Sequence, residues 1–253
     1  MYRTPILAAL LGALPATAQG TETLSVPLSD PARPGILNVH TLQGGVSIVG
    51  TAGREVVVVT DGGSRREKAE IPAGMRRIGG GAMGSLEVTE KDNIVTVRGA
   101  MDTRGISIQV PARMSVRLKT VSGGVAIQDT AGEMEIENVN GAIRLTNVSG
   151  TVVANTVNGA ITASFTAVEG AKPLSFATFN GQVDLTFPAS LKANLHLEVR
   201  GQGKLTCDFP LATESGEGMR SLKPSRLLQG PVNGGGPEIR VSTFNGGITV
   251  RKR

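Results

Sequence analysis

Apolar and polar residues alternate along most of this chain, and glycine breaks the alternation at regular intervals. The strings LNVHTLQGGVSIVG, REVVVVT, SLEVTEKDNIVTVRG and ISIQVPARMSVRLKTVSG place branched apolar residues at every second position, the period of an extended strand. Between residues 120 and 168 the breaks become strict, with Gly123, Gly132, Gly141, Gly150 and Gly159 nine residues apart. Counted from each glycine, apolar residues stand two before, two after and four after, as in Val121, Val125 and Ile127 or Val139, Ile143 and Leu145. Even spacing assigns them all to one inward face of a chain that turns a corner after each short strand. Asn-Gly and Ser-Gly suit such corners because glycine accepts positive backbone dihedrals without a side-chain penalty.

Taken in pairs, the units form an eighteen-residue repeat: VSGGVAIQDTAGEMEIEN, VNGAIRLTNVSGTVVANT and VNGAITASFTAVEGAKPL. Like residues then align, Ser122 with Asn140 and Asn158, and Lys119 with Glu137 and Asn155. Repetition on this scale indicates stacked structure. Evenly spaced short strands also occur in sandwiches and barrels, where Asn140 and Asn158 would lie apart. In a coil they would sit one above the other at ~4.8 Å and share amide hydrogen bonds. The expected fold is therefore all-β, a β-solenoid of the right-handed parallel β-helix type with irregular flanking strands and loop insertions. A single coil cannot bury its own apolar side, so the stack needs neighbours and end caps. The flanks 19–60 and 193–253 are the segments expected to cap it.

Outside the array, TLQGGVSIVGTAG (41–53) nearly repeats TVSGGVAIQDTAG (120–132), and TFNGQVDLTFPAS (178–190) and IRVSTFNGGITVRKR (239–253) are looser units. Asp92-Asn93 suits a hairpin turn and Pro111 a strand end. ANLHLEVRGQGKLTCDFP (193–210) reads as a strand pair. Residues 61–84, rich in glycine and basic charge, read as a mobile insertion, and 211–237 as an irregular loop, within one domain spanning 19–253.

The first residues carry one charge at Arg3, an apolar run from Ile6 to Leu14 and then Ala16-Thr17-Ala18, the layout of a secretory signal over 1–18. The run is too short to cross ~30 Å of hydrocarbon. No later segment is apolar enough to span a membrane, so the mature chain is expected in the periplasm, the cell envelope or the extracellular space. Cys207 is the single cysteine, which excludes an intramolecular disulfide and suggests a half-buried strand residue.

Of 253 residues, 40% are hydrophobic and only 3% aromatic, with 34 glycines and no tryptophan, so the interior must be narrow and filled by Val, Ile, Leu, Ala and Met. The net charge of +5 is partly concentrated in Arg65, Arg66, Lys68, Arg76 and Arg77 and in Arg251-Lys252-Arg253. With so few aromatics for base stacking, nucleic acid is not an expected partner. A glycan or a cell-surface protein is.

Candidate chemistry is sparse. Gly79, Gly81 and Gly84 match a GxGxxG spacing but follow a charged loop and open no helix, so no dinucleotide site is expected. His40 and His196 alternate with apolar neighbours and read as outward strand residues. Glu133, Glu135 and Glu137 share one outward face and are the candidate surface contacts, either a glycan-active or calcium-binding row or a solvated strand face. No catalytic, metal or cofactor-binding residue is assigned and no cofactor is expected.

The run ISIQVPARMSVRLKTVSGGVAIQDTAGEMEIENVNGAIRLTNVSGTVVANTVNGAITASF, with its strand ending in proline and its valine-asparagine-glycine units, resembles the bacterial putative-adhesin family, domains of unknown function built as β-solenoids. The resemblance covers about residues 36–253 and implies an exported, envelope-associated, non-enzymatic binding module. A polysaccharide lyase or hydrolase on a β-helix and a purely structural periplasmic protein are the alternatives.

Overall fold

A computed structural model describes residues 21–61, 76–77, 86–99, 105–168, 172–211 and 226–253. The signal read at 1–18 lies outside the described residues, as does most of the insertion at 61–84 and much of the loop at 211–237. Every regular element among the described residues is a strand. In chain order the first are β1 (Thr21–Pro27), β2 (Ile36–Gln43), β3 (Gly45–Thr51), β4 (Glu55–Asp61), β5 (Arg76–Arg77), β6 (Leu86–Lys91), β7 (Ile94–Gly99) and β8 (Gly105–Pro111). The regular array supplies β9 (Ser115–Ser122), β10 (Val125–Gln128), β11 (Met134–Asn140), β12 (Ile143–Ser149), β13 (Val152–Asn158) and β14 (Ile161–Ala167). There follow β15 (Leu174–Asn180), β16 (Val183–Phe187), β17 (Ala193–Val199), β18 (Leu205–Cys207), β19 (Arg226–Val232), β20 (Glu238–Asn245) and β21 (Ile248–Lys252).

Each coil contributes one strand to each of two sheets, and β9, β11, β13 and β15 run parallel in one while β10, β12, β14 and β16 run parallel in the other. The fold is a β-solenoid. The eighteen-residue register holds, for Asn140 pairs with Ser122 on one side and Asn158 on the other, and Lys119 and Asn155 flank Glu137. Two facing sheets of antiparallel hairpins are excluded by the parallel pairing. The next coil is wider, with Val153 facing Ser175, and the buried Phe165, Phe176 and Phe187 gather there, Phe165 and Phe187 stacked at 4.8 Å.

The stack does not follow chain order at its ends. The coil β2–β3 lies between β7–β8 and β9–β10, and the coil β20–β21 lies between β15–β16 and β17–β18. Residues 36–51 and 238–252, placed by sequence among the capping flanks, are therefore interior coils. The caps are antiparallel strands instead: β4 and β1 beyond β8, β6 and β5 beyond β7, and β19 beyond β17. Reversing the strand direction ends the parallel ladder that would otherwise invite further coils. The strand β19 sits inside the segment read as an irregular loop, and β17 and β18 lie in different sheets rather than pairing. Asp92 and Asn93 form the β6–β7 turn with φ of 52° and 64°, and buried Glu90 accepts hydrogen bonds from the Ser29 and Asn93 backbone N–H groups, tying the preceding loop to this cap.

Alternation along the strand bodies sets the inward face. Val116 and Leu118, Met134 and Ile136, and Val152 and Ala154 are buried, so the next residues in phase are Thr120, Asn138 and Thr156. Those polar residues enter the corner, and Val121, Val139 and Val157 point outward, 42%, 39% and 43% exposed. The expectation that these three valines face the core is thus overturned, whereas Val125, Ile127, Ile143, Leu145, Val148, Val152, Ala154, Ile161 and Ala163 are buried as read. The two corner types are not equivalent: before Gly132 and Gly150 the residue two earlier, Thr130 or Val148, is inside.

Candidate binding face

Of the polar residues turned into the corner by strand phase, all but Thr120 satisfy glycine turns of their own or the adjacent coil. Asn138 Nδ2 donates to the carbonyls of Gly123 and Gly141, Thr156 Oγ1 to Gly141, Thr178 Oγ1 to Gly159 and Thr243 Oγ1 to Gly181. Buried carbonyls would otherwise cost more than the hydrogen bonds themselves contribute. Gly123 and Gly141 hold φ of 138° and 149°, and a Cβ on Gly141 would overlap the Gly123 carbonyl. The glycines singled out by spacing are thus corner residues that permit close coil stacking.

With the threonines inside, the residues on either side of them face solvent and stack into rows across the coils. Leu42, Val121, Val139, Val157, Phe179 and Phe244 occupy successive coils immediately before the paired polar positions Gln43, Ser122, Asn140, Asn158, Asn180 and Asn245. Phe179, 50% exposed, stacks on Phe244 with ring centroids 4.8 Å apart and planes within 3°. Beside this apolar row runs an amide ladder: Asn158 Nδ2 donates to Asn140 Oδ1, Asn180 to Asn158 and Asn245 to Asn180, each at 2.9 Å. Each amide nitrogen carries two donors, so one N–H per rung is left by the ladder itself.

A third row lies two residues earlier on the same strands. Arg98, His40, Lys119 and Glu137 are consecutive partners on β7, β2, β9 and β11. Between this row and the apolar one is an open groove of about 570 Å³, walled by Arg98, His40, Lys119 and Glu137 on one side and Leu42, Val121 and Val139 on the other. Thr41, Thr120 and Asn138 form its floor positions with their side chains turned inward. Lys119 Nζ lies 2.9 Å from Glu137, whose hydrogen bond and then whose charge raise the lysine pKa and keep it cationic. Arg98 is 4.0 Å from Glu87.

The three glutamates expected as surface contacts do line up outward, Glu133 just before β11 and Glu135 and Glu137 on it. Each faces a cation: Lys172 beside Glu133, Arg117 at 3.7 Å from Glu135, and Lys119 beside Glu137. The row is charge-matched across the sheet rather than an open acidic strip. His196 points outward on β17, next in register to Arg240, well away from His40. Cys207 is half-buried on β18, and burial first, with the Asp208 charge adding, pushes its thiol pKa up against a backbone hydrogen bond from Phe209. Gly79, Gly81 and Gly84 lie outside the described residues. Among the described residues no group of three His, Cys, Asp or Glu side chains is placed to hold a metal ion, and no helix is long and apolar enough to cross a membrane.

Sequence reading missed the outward apolar row, because it assigned valines inward by polarity alone. It also stopped the asparagine ladder at Asn158, although the TFNG strings at 178–181 and 243–246 carried the signal for Asn180 and Asn245.

A family model described as Toastrack DUF4097 matches residues 37–251. Similar solved structures include one described as a "putative cell adhesion protein" from Clostridium sporogenes ATCC 15579, at 11% identity and TM-score 0.44, covering 92% of this chain and 99% of that one. Another, described as a "putative adhesin" from Bacteroides fragilis NCTC 9343, has 12% identity and TM-score 0.41, covering 93% of this chain and 98% of that one. No curated protein matches the chain.

Proposed function

The chain belongs to the Toastrack DUF4097 family, and from that premise we propose that it is a non-enzymatic, exported module that binds a cell-surface or envelope component through the outer face of its β9-containing sheet. The observation that carries this reading is the pair of rows along the corner: an exposed apolar line from Leu42 to Phe179, which stacks on the half-buried Phe244, with the amide ladder from Asn140 to Asn245 beside it. A purely structural role gives no reason to leave Leu42, Val121, Val139, Val157 and Phe179 39–50% exposed, where each forgoes about half of the ~1.5–3 kcal/mol that full burial contributes. The layout of residues 1–18 supports export, to the periplasm, the envelope or the exterior.

A polysaccharide-cleaving reading needs carboxylates that converge on one bond with their proton affinities separated by environment. Glu133, Glu135 and Glu137 are instead spaced along an exposed line and each is paired with a cation. Retention of the protein on isolated cell envelopes and immobilised glycans is the test. Wild type should be retained, Phe179→Asp and Val157→Asp should be lost to the flow-through, and neutralising Glu133 and Glu135 to Gln should change retention little. Release of new reducing ends from an incubated polysaccharide would replace this reading with the enzymatic one.

A further inference from the structure

We infer that the groove between β7 and β11 binds an acidic polysaccharide, with carboxylated sugars lying across the strands. The inference rests on the surface-binding reading and assigns its ligand. The wall is built by register: Arg98 and Lys119 are paired on either side of His40, so two cations stand on strands about 9.6 Å apart, with Glu137 following Lys119 on the next strand. Arg98 is 66% and Lys119 53% exposed. Their present partners leave most of their donors free, since guanidinium carries five and ammonium three while Glu87 and Glu137 engage one contact each. The opposite wall of Leu42, Val121 and Val139 offers apolar surface to the carbon faces of sugar rings, and the amide ladder beyond it offers donors and acceptors to hydroxyls.

The spare donors of Arg98 and Lys119, each engaged by one glutamate only, favour an anionic ligand, and the direction of the apolar and amide rows favours a polymer. The apolar and amide rows cross the strands, so a ligand that follows them meets the same apolar and amide chemistry at each step, with the two cations at one end. An acidic peptide is disfavoured because the backbone groups of these interior strands are already engaged in the sheet, which removes the main-chain pairing by which extended peptides gain affinity. Sugars recognised by side-chain rows do not need it.

Titration of the full chain with polygalacturonate, its fully methyl-esterified form and polyglutamate tests this. The acid form should bind, at least about tenfold more tightly than the neutral ester of the same backbone and than polyglutamate, and the affinity should fall as salt shortens the screening length. Arg98→Glu and Lys119→Glu, both at exposed positions, should each weaken binding at least about fivefold. Glu137→Gln, which frees Lys119 from its competitor, should strengthen it, a gain that damaged folding cannot produce. Equal binding of acid and ester, equal binding of polyglutamate, or indifference to all three substitutions overturns the inference. If polygalacturonate fails to bind while retention on cell envelopes persists, the groove assignment falls and the surface-binding reading stands; if both fail, both fall.

Discussion

At Gly141 the backbone holds φ of 149° and an added methyl would run into the Gly123 carbonyl of the coil below, so any side chain forces two coils apart. Gly141→Ala should cost about 2–3 kcal/mol, lowering the melting temperature by roughly 4–12 °C for a chain of this size. Gly124 is the control: a Cβ there meets nothing nearer than the Ala142 carbonyl at 3.9 Å, so Gly124→Ala should leave the melting temperature nearly unchanged. Thermal unfolding of the two variants side by side separates corner geometry from mere loss of glycine. Cys207 gives a second residue-level test. Because burial raises its pKa, the thiol stays protonated to higher pH than a free cysteine, and the thiolate is the reactive form. Its labelling by a disulfide reagent at pH 8 should be slower than that of glutathione and should accelerate to the unfolded rate in denaturant; equal rates in the folded protein would contradict the placement.

Among the elements, the corner preceding each second strand decides what the sheet shows to solvent. Thr178 Oγ1 donates to the Gly159 carbonyl at 2.9 Å from a buried position, so the shape-conserving Thr178→Val should cost about 1–2 kcal/mol although it adds an apolar group to the interior. Denaturant titration should show a lower midpoint with an unchanged slope. This corner also explains which part of the candidate site was legible in the amino-acid string. Nine-residue glycine spacing and the alignment of Asn140 with Asn158 led directly to parallel coils, because backbone conformation and side-chain ladders are local, repeating properties. The outward row was hidden because the inward residues at the same corner, Thr120, Asn138 and Thr156, are polar, and the carbonyls of Gly123 and Gly141 that Asn138 and Thr156 reach on the preceding coil lie fifteen residues back in sequence. Polarity predicts exposure only until a buried acceptor rewards the opposite.

For the whole molecule, the stacking order was the part least legible, since nothing local in IRVSTFNGGITVRKR says that it lies between 174–187 and 193–207 rather than after them. Both sheets agree on the insertion: Leu174 and Asn194 are joined to β20, and Val183 and Leu205 to β21. Removing residues 238–253 should therefore strip the neighbouring coil 193–207 of its support, so amide exchange there should become fast while the array at 115–167 retains protection. Mass-resolved exchange on intact and shortened protein would show this, and uniform protection loss or none would contradict it. The same insertion sets a schedule for biosynthesis. A ribosome delivers residues 193–207 before the coil that must separate them from the array, so this end of the protein cannot assemble co-translationally by adding coils one after another. It waits, unstacked, for a later-made segment, and the last coil to be synthesised is the one that locks its neighbour in place.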